Sequence, residues 1–231
     1  AISTPRTALT LLVSALLIGS NWLIYVWAIQ QGHVLASSLG YYINPLANVL
    51  AGTLFLGEKL TRRQWIAVAL AAAGVSILAL GALDMLWIAV SLAATFCAYG
   101  LVRKVAPVES LPGLTVESMV LLVPALFIIA LSPGSFRFGE DLPLSLLVAL
   151  AGVVTAVPLL LFAAAARRMD YSALGFVQYL APTLVFVEGL AIFHEPLRPV
   201  QLASFLIIWA AIAVFMWDLI AARRVSRQTA S

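Results

Sequence analysis

The amino-acid sequence predicts an all-α membrane protein, a polytopic helical bundle of eight spans. Of its 231 residues 63% are hydrophobic and 10% are charged, and the mean hydropathy is +1.07. Soluble domains are about 45–50% apolar and about 25% charged, so this chain has too few charged residues to cover a core in water. Its apolar residues fall into eight stretches close to the roughly 20 residues that a helix needs to cross a bilayer. A bilayer is therefore the expected solvent.

The eight stretches follow one another with short loops between them. Each is long enough to cross or nearly cross the hydrocarbon core, since a helix rises about 1.5 Å per residue. Strands of a membrane barrel would alternate in polarity over about ten residues, and runs such as 66–73 do not alternate. The predicted spans are 8–29, 37–57, 64–80, 85–102, 114–131, 144–166, 171–193 and 200–220.

Basic residues are concentrated in the loops of one side. Eleven of the 13 Lys and Arg residues lie there, and only Arg137 and Arg198 lie on the other side. Short loops rich in Lys and Arg are retained in the cytoplasm, so both ends of this chain are expected there. The net charge of +3 then reflects the topology, and the basic residues are expected to contact anionic membrane lipid. No nucleic-acid partner is expected. The eleven are Arg6, Lys59, Arg62, Arg63, Arg103, Lys104, Arg167, Arg168, Arg223, Arg224 and Arg227.

An internal repeat relates the two halves of the chain. Pro45 is followed 13 residues later by Glu58, and Pro182 is followed 13 residues later by Glu195. In both copies a leucine stands two residues after the glutamate and a glutamine six residues after it. The charge distribution puts the Glu58 loop in the cytoplasm and the Glu195 loop outside. Inverted repeats of this kind are a recurring plan of secondary transporters, whose site lies near the membrane midplane.

The repeat predicts the domain organisation. Residues 1–80 are expected to form the last three helices of a first repeat, residues 85–220 a second repeat of five helices, and residues 221–231 a basic cytoplasmic tail. An equal first repeat needs two more helices before residue 1, which predicts a ten-helix protein of five plus five. An asymmetric protein of three plus five helices is the alternative.

One face of the 37–57 span is polar. Tyr41, Asn44 and Asn48 stand at i, i+3 and i+7, which is one side of a helix, and Pro45 lies among them. Proline frees a backbone carbonyl, which a membrane helix tolerates only against protein or a wet cavity. This face is either a substrate-binding surface or a set of interhelical hydrogen bonds, each contributing about 0.6 kcal/mol on average.

The 171–193 span offers an equivalent surface. Gln178, Tyr179 and Pro182 bring amide, phenol and proline groups to a similar position in the second repeat. Two matching polar surfaces favour one shared solute path, and interhelical contacts are again the alternative.

The first span adds three candidate substrate-binding residues, and the seventh adds a candidate coupling residue. Asn21 and Tyr25 are one turn apart with Trp22 beside them, and such aromatic side chains can stack on a flat or amphipathic solute. Glu188 is an acid within a span, so it is the candidate for proton coupling. The alternative is a carboxylate that simply reaches water.

The other glutamates fit structural roles. Glu117 is expected in the first turn of the 114–131 helix, where the helix dipole favours an anion. Glu58 and Glu195 are expected to anchor the loops in which they lie, with the latching of a gate as the alternative.

No catalytic or metal-binding pattern occurs in the sequence. An enzyme needs a nucleophile with a base, a carboxylate pair or a metal, and His194-Glu195 lacks the second histidine of HExxH. The single cysteine, Cys97, and two histidines cannot supply the four ligands of a structural zinc. Neither an enzymatic activity nor a cofactor is expected.

Several runs of residues resemble one family. The runs are 21–28, NWLIYVWA; 38–46, SLGYYINPL; 55–58, FLGE; 99–104, YGLVRK; and 157–160, VPLL. They are similar to the RarD branch of the EamA-type drug/metabolite transporter superfamily. The resemblance implies a bacterial inner-membrane permease of ten helices that moves a small, amphipathic or aromatic metabolite or drug by alternating access. A non-transporting membrane scaffold is the alternative.

Overall fold

The computed structural model describes residues 4–81, 83–131, 139, 141–192 and 199–228, which form helices and turns with no strand among them. All eight predicted spans are helical there, which confirms the all-α class. A 3₁₀ turn, Leu83–Met85, precedes the fourth helix. The helices are α1 Pro5–Gln30, α2 Val34–Phe55, α3 Arg62–Ala79, α4 Leu86–Val105, α5 Ser110–Leu131, α6 Leu142–Arg168, α7 Tyr171–Gln178, α8 Leu180–Ala191 and α9 Pro199–Gln228.

Polar caps explain why two helices begin earlier than predicted. The Thr61 hydroxyl accepts from the Gln64 amide over 3.2 Å, and the Gln64 side chain accepts from the Thr61 amide over 2.9 Å, so α3 starts with a capping box. Asp141 caps α6 by accepting from the Leu144 amide over 3.1 Å. At the other end of the chain α9 continues to Gln228, so the predicted tail begins as helix.

Among the described helices, five are long and apolar enough to cross a membrane: α1, α4 with its 3₁₀ turn, α5, α6 and α9. On α5 the large side chains Val123 and Phe127 are 70% and 65% exposed, and such surfaces need lipid around them rather than water. That α2, α3 and the α7–α8 pair also span the bilayer stays a prediction.

The chain divides into two compact units, and the division falls inside α1 and α4. One unit is Ala1–Ser20 with Ala98–Met169, and the other is Asn21–Cys97 with Asp170–Ser231. Each unit therefore combines segments of both sequence repeats. The units are groups of residues in contact, whereas the repeats are copies related by sequence, and the two divisions need not coincide.

Within the first unit, the ends of α4 and α6 satisfy each other's carbonyls. The Lys104 ammonium donates to the Ala166 and Met169 carbonyls over 3.0 and 2.6 Å. Arg167 in turn donates to two backbone carbonyls just beyond α4. The last carbonyls of a helix have no partner within the helix, so Lys104 stabilises the end of α6, while Arg167 holds the segment that follows α4.

In the second unit α3 packs along α9, and α2 packs along α7 and α3. A Cβ at Gly74 would lie 2.8 Å from the Ile208 side chain and 3.1 Å from the Ser204 carbonyl oxygen. Small residues of this kind let membrane helices approach closely. The second unit also contains an apolar cluster formed by Ala28, Ala36, Ile88 and Leu92.

Candidate functional site

The polar face of α2 meets the end of α7. Asn44 and Asn48 are buried, and their side-chain Nδ2 atoms both donate to Oε1 of Gln178, over 3.3 Å from Asn44. Tyr41, on the same face, is 55% exposed. The candidate residues of the two repeats therefore converge on one oxygen atom. The same hydrogen bonds also hold α2 and α7 together, so both sequence-based interpretations remain consistent with this contact.

A glycine allows the two helices to come this close. A Cβ at Gly175 would lie 2.7 Å from the carbonyl oxygen of Pro45 and 3.2 Å from the Cβ of Asn48. Real Cβ atoms essentially never approach another heavy atom within 3.0 Å, so only glycine permits this separation. The contact is between α7 and the backbone of α2, and no rotamer change of a side chain could relieve it.

The predicted span 171–193 is interrupted at Tyr179, which separates α7 from α8. Pro182 has no N–H, so the carbonyl of Gln178 has no donor four residues later. The Tyr179 amide bonds to the Phe176 carbonyl over 3.3 Å, which is the tighter 3₁₀ pattern. The helix thus loses one hydrogen bond at the residue that binds both asparagines, whereas α2 continues unbroken through Pro45.

Three buried oxygen atoms near this break have no hydrogen-bond partner within the described part of the chain. They are Oδ1 of Asn44, Oδ1 of Asn48 and the hydroxyl of Tyr179. Tyr179 is fully buried. Leaving a buried polar atom unpaired costs roughly 1–3 kcal/mol, so these three atoms carry unused hydrogen-bonding capacity at that cost. The sequence shows the residue types but not which atoms are already used.

An aromatic row runs from α1 to α2 in the same unit. Tyr25 makes edge-to-face contacts with Trp22 and Tyr41, at ring-centroid distances of 6.3 and 6.0 Å. Trp22 is 42% exposed. The predicted aromatic surface thus includes the exposed tyrosine of α2, and its use in stacking on a solute stays a prediction.

Two other predicted residues lie apart from the amide contact. Asn21 donates through Nδ2 to the Leu92 carbonyl and to the Thr95 hydroxyl, each over 2.8 Å, so its amide group joins α1 to α4. Glu188 is exposed on α8, and its coupling role stays a prediction. Glu195, the repeat partner of Glu58, lies outside the described residues.

Glu58 caps the N-terminus of α7. Its carboxylate accepts from the amides of Tyr171 and Ser172, over 2.5 and 2.9 Å, and from the Ser172 hydroxyl over 2.6 Å. Asp170, at the N-cap position, makes no side-chain cap, so Glu58 supplies the acceptors that the first turn needs. These hydrogen bonds agree with the anchoring role predicted for Glu58 and equally with its alternative, the latching of a gate. A cavity of about 140 Å³ lies beside it, lined also by Gln64 and Phe215.

We expect Glu58→Gln to destabilise the protein by about 1–2 kcal/mol, because the amide carries no charge to balance the helix N-terminus. Thermal unfolding in detergent micelles measures the effect. Glu188→Gln is the matched control, since it makes the same substitution at an exposed carboxylate. Equal unfolding temperatures for the two variants would contradict the capping role.

The largest departure from the sequence analysis concerns Arg103 and Glu117. Arg103 was expected in a cytoplasmic loop, but it is the third-last residue of α4 and is 0% exposed. Glu117 was expected in a first turn, but α5 begins at Ser110, so Glu117 lies two turns inside the helix and is 1% exposed. Tyr99 and Arg103 stand at i and i+4, a spacing that puts both on one helix face and could have indicated a shared partner.

Comparisons with known proteins agree on one family. Residues 1–80 match the EamA-like transporter family. An uncharacterized transporter of Pseudomonas aeruginosa is 49% identical over 219 residues, which cover 93% of this chain and 73% of that protein. Protein RarD of Escherichia coli is 45% identical over 228 residues, which cover 96% of this chain and 76% of that protein. A protein of known crystal structure is 18% identical in sequence and aligns with a TM-score of 0.70 over 94% of this chain and 79% of that protein's chain. This similarity supports the fold alone.

Proposed function

Because this chain belongs to the EamA-like transporter family, in its RarD branch, we propose that it moves a small, amphipathic or aromatic solute across the bacterial inner membrane by alternating access. Family membership makes it a multi-pass membrane transporter; the solute class and the mechanism are the proposal. Both ends of the chain lie in the cytoplasm in this scheme, as the eleven-to-two distribution of Lys and Arg indicates. In this proposal residues 1–80 are the last three helices of the first inverted repeat and residues 85–220 are the second, and the family match over 1–80 supports that boundary.

The observation that carries the proposal is the meeting of Asn44, Asn48 and Gln178. The asparagines and the glutamine come from helices that correspond in the two sequence repeats, and each helix has a proline within four residues of the contact. In transporters built from inverted repeats, helices from both copies form the solute site and are typically discontinuous. The second helix is interrupted at Tyr179, which supports this assignment, whereas α2 is continuous from Val34 to Phe55.

The chemistry of these side chains favours an uncharged solute. The unpaired atoms Asn44 Oδ1 and Asn48 Oδ1 accept hydrogen bonds only, and the phenol of Tyr179 donates or accepts one. A solute with N–H or O–H donors and a flat apolar face would match them together with the row Trp22–Tyr25–Tyr41.

The test measures metabolite concentrations in cells and in the medium. It compares a strain that lacks the gene with the same strain carrying the wild-type gene or a variant. Asn44→Leu and Gln178→Leu are each expected to abolish the wild-type difference while the amount of folded protein stays near normal. Asn44→Leu loses one interhelical hydrogen bond and Gln178→Leu loses two, at a cost of about 0.6 kcal/mol each on average in a membrane.

The matched control is Thr183→Val, which removes the acceptor of the Trp209 indole N–H, a polar contact between α8 and α9 of 3.1 Å. It is expected to transport normally. If Asn44→Leu and Gln178→Leu lower stability and the surviving protein transports like wild type, the amides only hold helices together. If the wild-type protein itself changes no metabolite, the scaffold alternative holds.

A further inference from the structure

The first unit contains a fully buried pair of opposite charges. Nη1 of Arg103 on α4 lies 3.5 Å from Oε1 of Glu117 on α5, and their side chains are 0% and 1% exposed. Ionisable groups inside membrane spans are energetically costly and are found mainly where they serve a function. The solute site proposed above uses neither residue.

Backbone carbonyls hold the arginine as well as the glutamate does. Nη2 of Arg103 donates to the carbonyls of Glu109 and Ser110, over 3.3 and 3.1 Å. A Cβ at Gly113 would overlap the guanidinium, so that glycine leaves the room in which it lies. Nε and Nη1 make no hydrogen bond to any described residue. Backbone groups therefore hold the cation in place, and the carboxylate lies near it without the bidentate geometry of a strong arginine–carboxylate pair.

The carboxylate itself is held by hydroxyl groups. The Ser14 hydroxyl donates to Oε1 over 2.5 Å, and the Tyr99 hydroxyl donates to Oε2 over 3.3 Å. A hydroxyl can donate to a carboxylate and can turn to accept from a carboxylic acid. An amide or ammonium partner would favour one protonation state alone, whereas these two partners suit both.

We propose that Glu117 is a proton-binding site inside the membrane, with Arg103 as its fixed counter-charge and Ser14 and Tyr99 as partners in both protonation states. The carboxylate takes one proton from water and becomes a neutral acid, and it returns the proton as a carboxylate. From α4 the ionisable groups that contact it are Arg103 and Tyr99, and α1 contributes the uncharged Ser14. As the coupling site of a transporter this assignment rests on the proposed function, and it is a second candidate beside the exposed Glu188.

Infrared difference spectroscopy of the chain in lipid bilayers tests the proposal with the proton itself as the ligand. Between pH 5 and pH 8 a carboxylic-acid C=O band is expected to appear on acidification and to shift in D₂O. Glu117→Gln should abolish that band. Glu188→Gln, which replaces an exposed acid, should retain it.

A wild-type protein without such a band, or a Glu117→Gln variant that retains it, would overturn the proposal. Size-exclusion chromatography establishes whether Glu117→Gln folds. If that variant does not fold, Tyr99→Phe takes its place, because it removes one hydrogen-bond partner of the Glu117 carboxyl group and should change the wavenumber of its C=O band. An unchanged wavenumber would then contradict the proposal. The band is recorded without solute, so a failed titration and a failed transport experiment are distinguishable.

Discussion

Gly175→Ala is expected to destabilise the protein by about 1–3 kcal/mol, the usual range for forcing an extra methyl group into a packed contact. The added methyl would lie 2.7 Å from the Pro45 carbonyl oxygen, and backbone atoms cannot turn aside. Helix α7 would have to move away from α2, which lengthens the hydrogen bonds from Asn44 and Asn48 to Gln178. Equilibrium unfolding in mixed micelles measures the loss, and the transport assay is expected to show reduced flux in the folded fraction.

Gly152→Ala is the matched control. Gly152 lies within α6, and a Cβ there meets nothing within 4 Å. Alanine is favoured over glycine in a helix by up to about 1 kcal/mol, so this variant is expected to be as stable as wild type or more stable. A Gly175→Ala protein that gains stability in the same way would show that α2 and α7 are not closely packed at this point.

Arg103→Met is expected to have the largest effect on stability, about 3–5 kcal/mol, because it leaves the buried carboxylate of Glu117 without a compensating charge. The deficit should shrink when the pH is lowered from 8 to 5, since a protonated Glu117 carries no charge to compensate. Unfolding measured at the two pH values provides the comparison.

The double variant Arg103→Met with Glu117→Met distinguishes the effect of removing the whole charge pair from the effect of removing one charge and leaving the other. Replacing both charges of a buried pair by apolar side chains is often neutral or stabilising, so most of the lost stability should return. If the double variant is as unstable as Arg103→Met alone, the single loss comes from the packing and backbone contacts of the arginine rather than from an uncompensated charge.

The sequence predicts that Asn44, Asn48 and Gln178 lie on corresponding polar helix faces, because this placement follows from periodicity. The polar residues of α2 recur at helical spacing, and the proline and glutamate of each repeat stand at equal intervals. Those regularities indicate which helices correspond and which faces are polar. They carry no information on which donor meets which acceptor, so the unpaired oxygen atoms appear only in the three-dimensional arrangement.

Arg103 shows why other features could not be predicted. A charged residue at the end of an apolar run normally marks the membrane boundary, so a count of loop cations places it in water. Its burial depends on Glu117, on the empty space at Gly113 and on two carbonyls at the start of α5. These contacts join separate helices, and no local pattern encodes them.

The interruption at Tyr179 has a mechanical consequence. Helix α7 is fastened at its beginning by Glu58 and at its end by the asparagines of α2, whereas α8 is fastened to α9 through the Thr183–Trp209 hydrogen bond. Pro182 removes one hydrogen bond of the helix ladder, whereas the Thr183 amide still bonds to the Tyr179 carbonyl over 3.2 Å and Tyr179 keeps helical backbone angles. The turn with the missing bond lies between two separately anchored segments, so it is the point at which this span resists bending least.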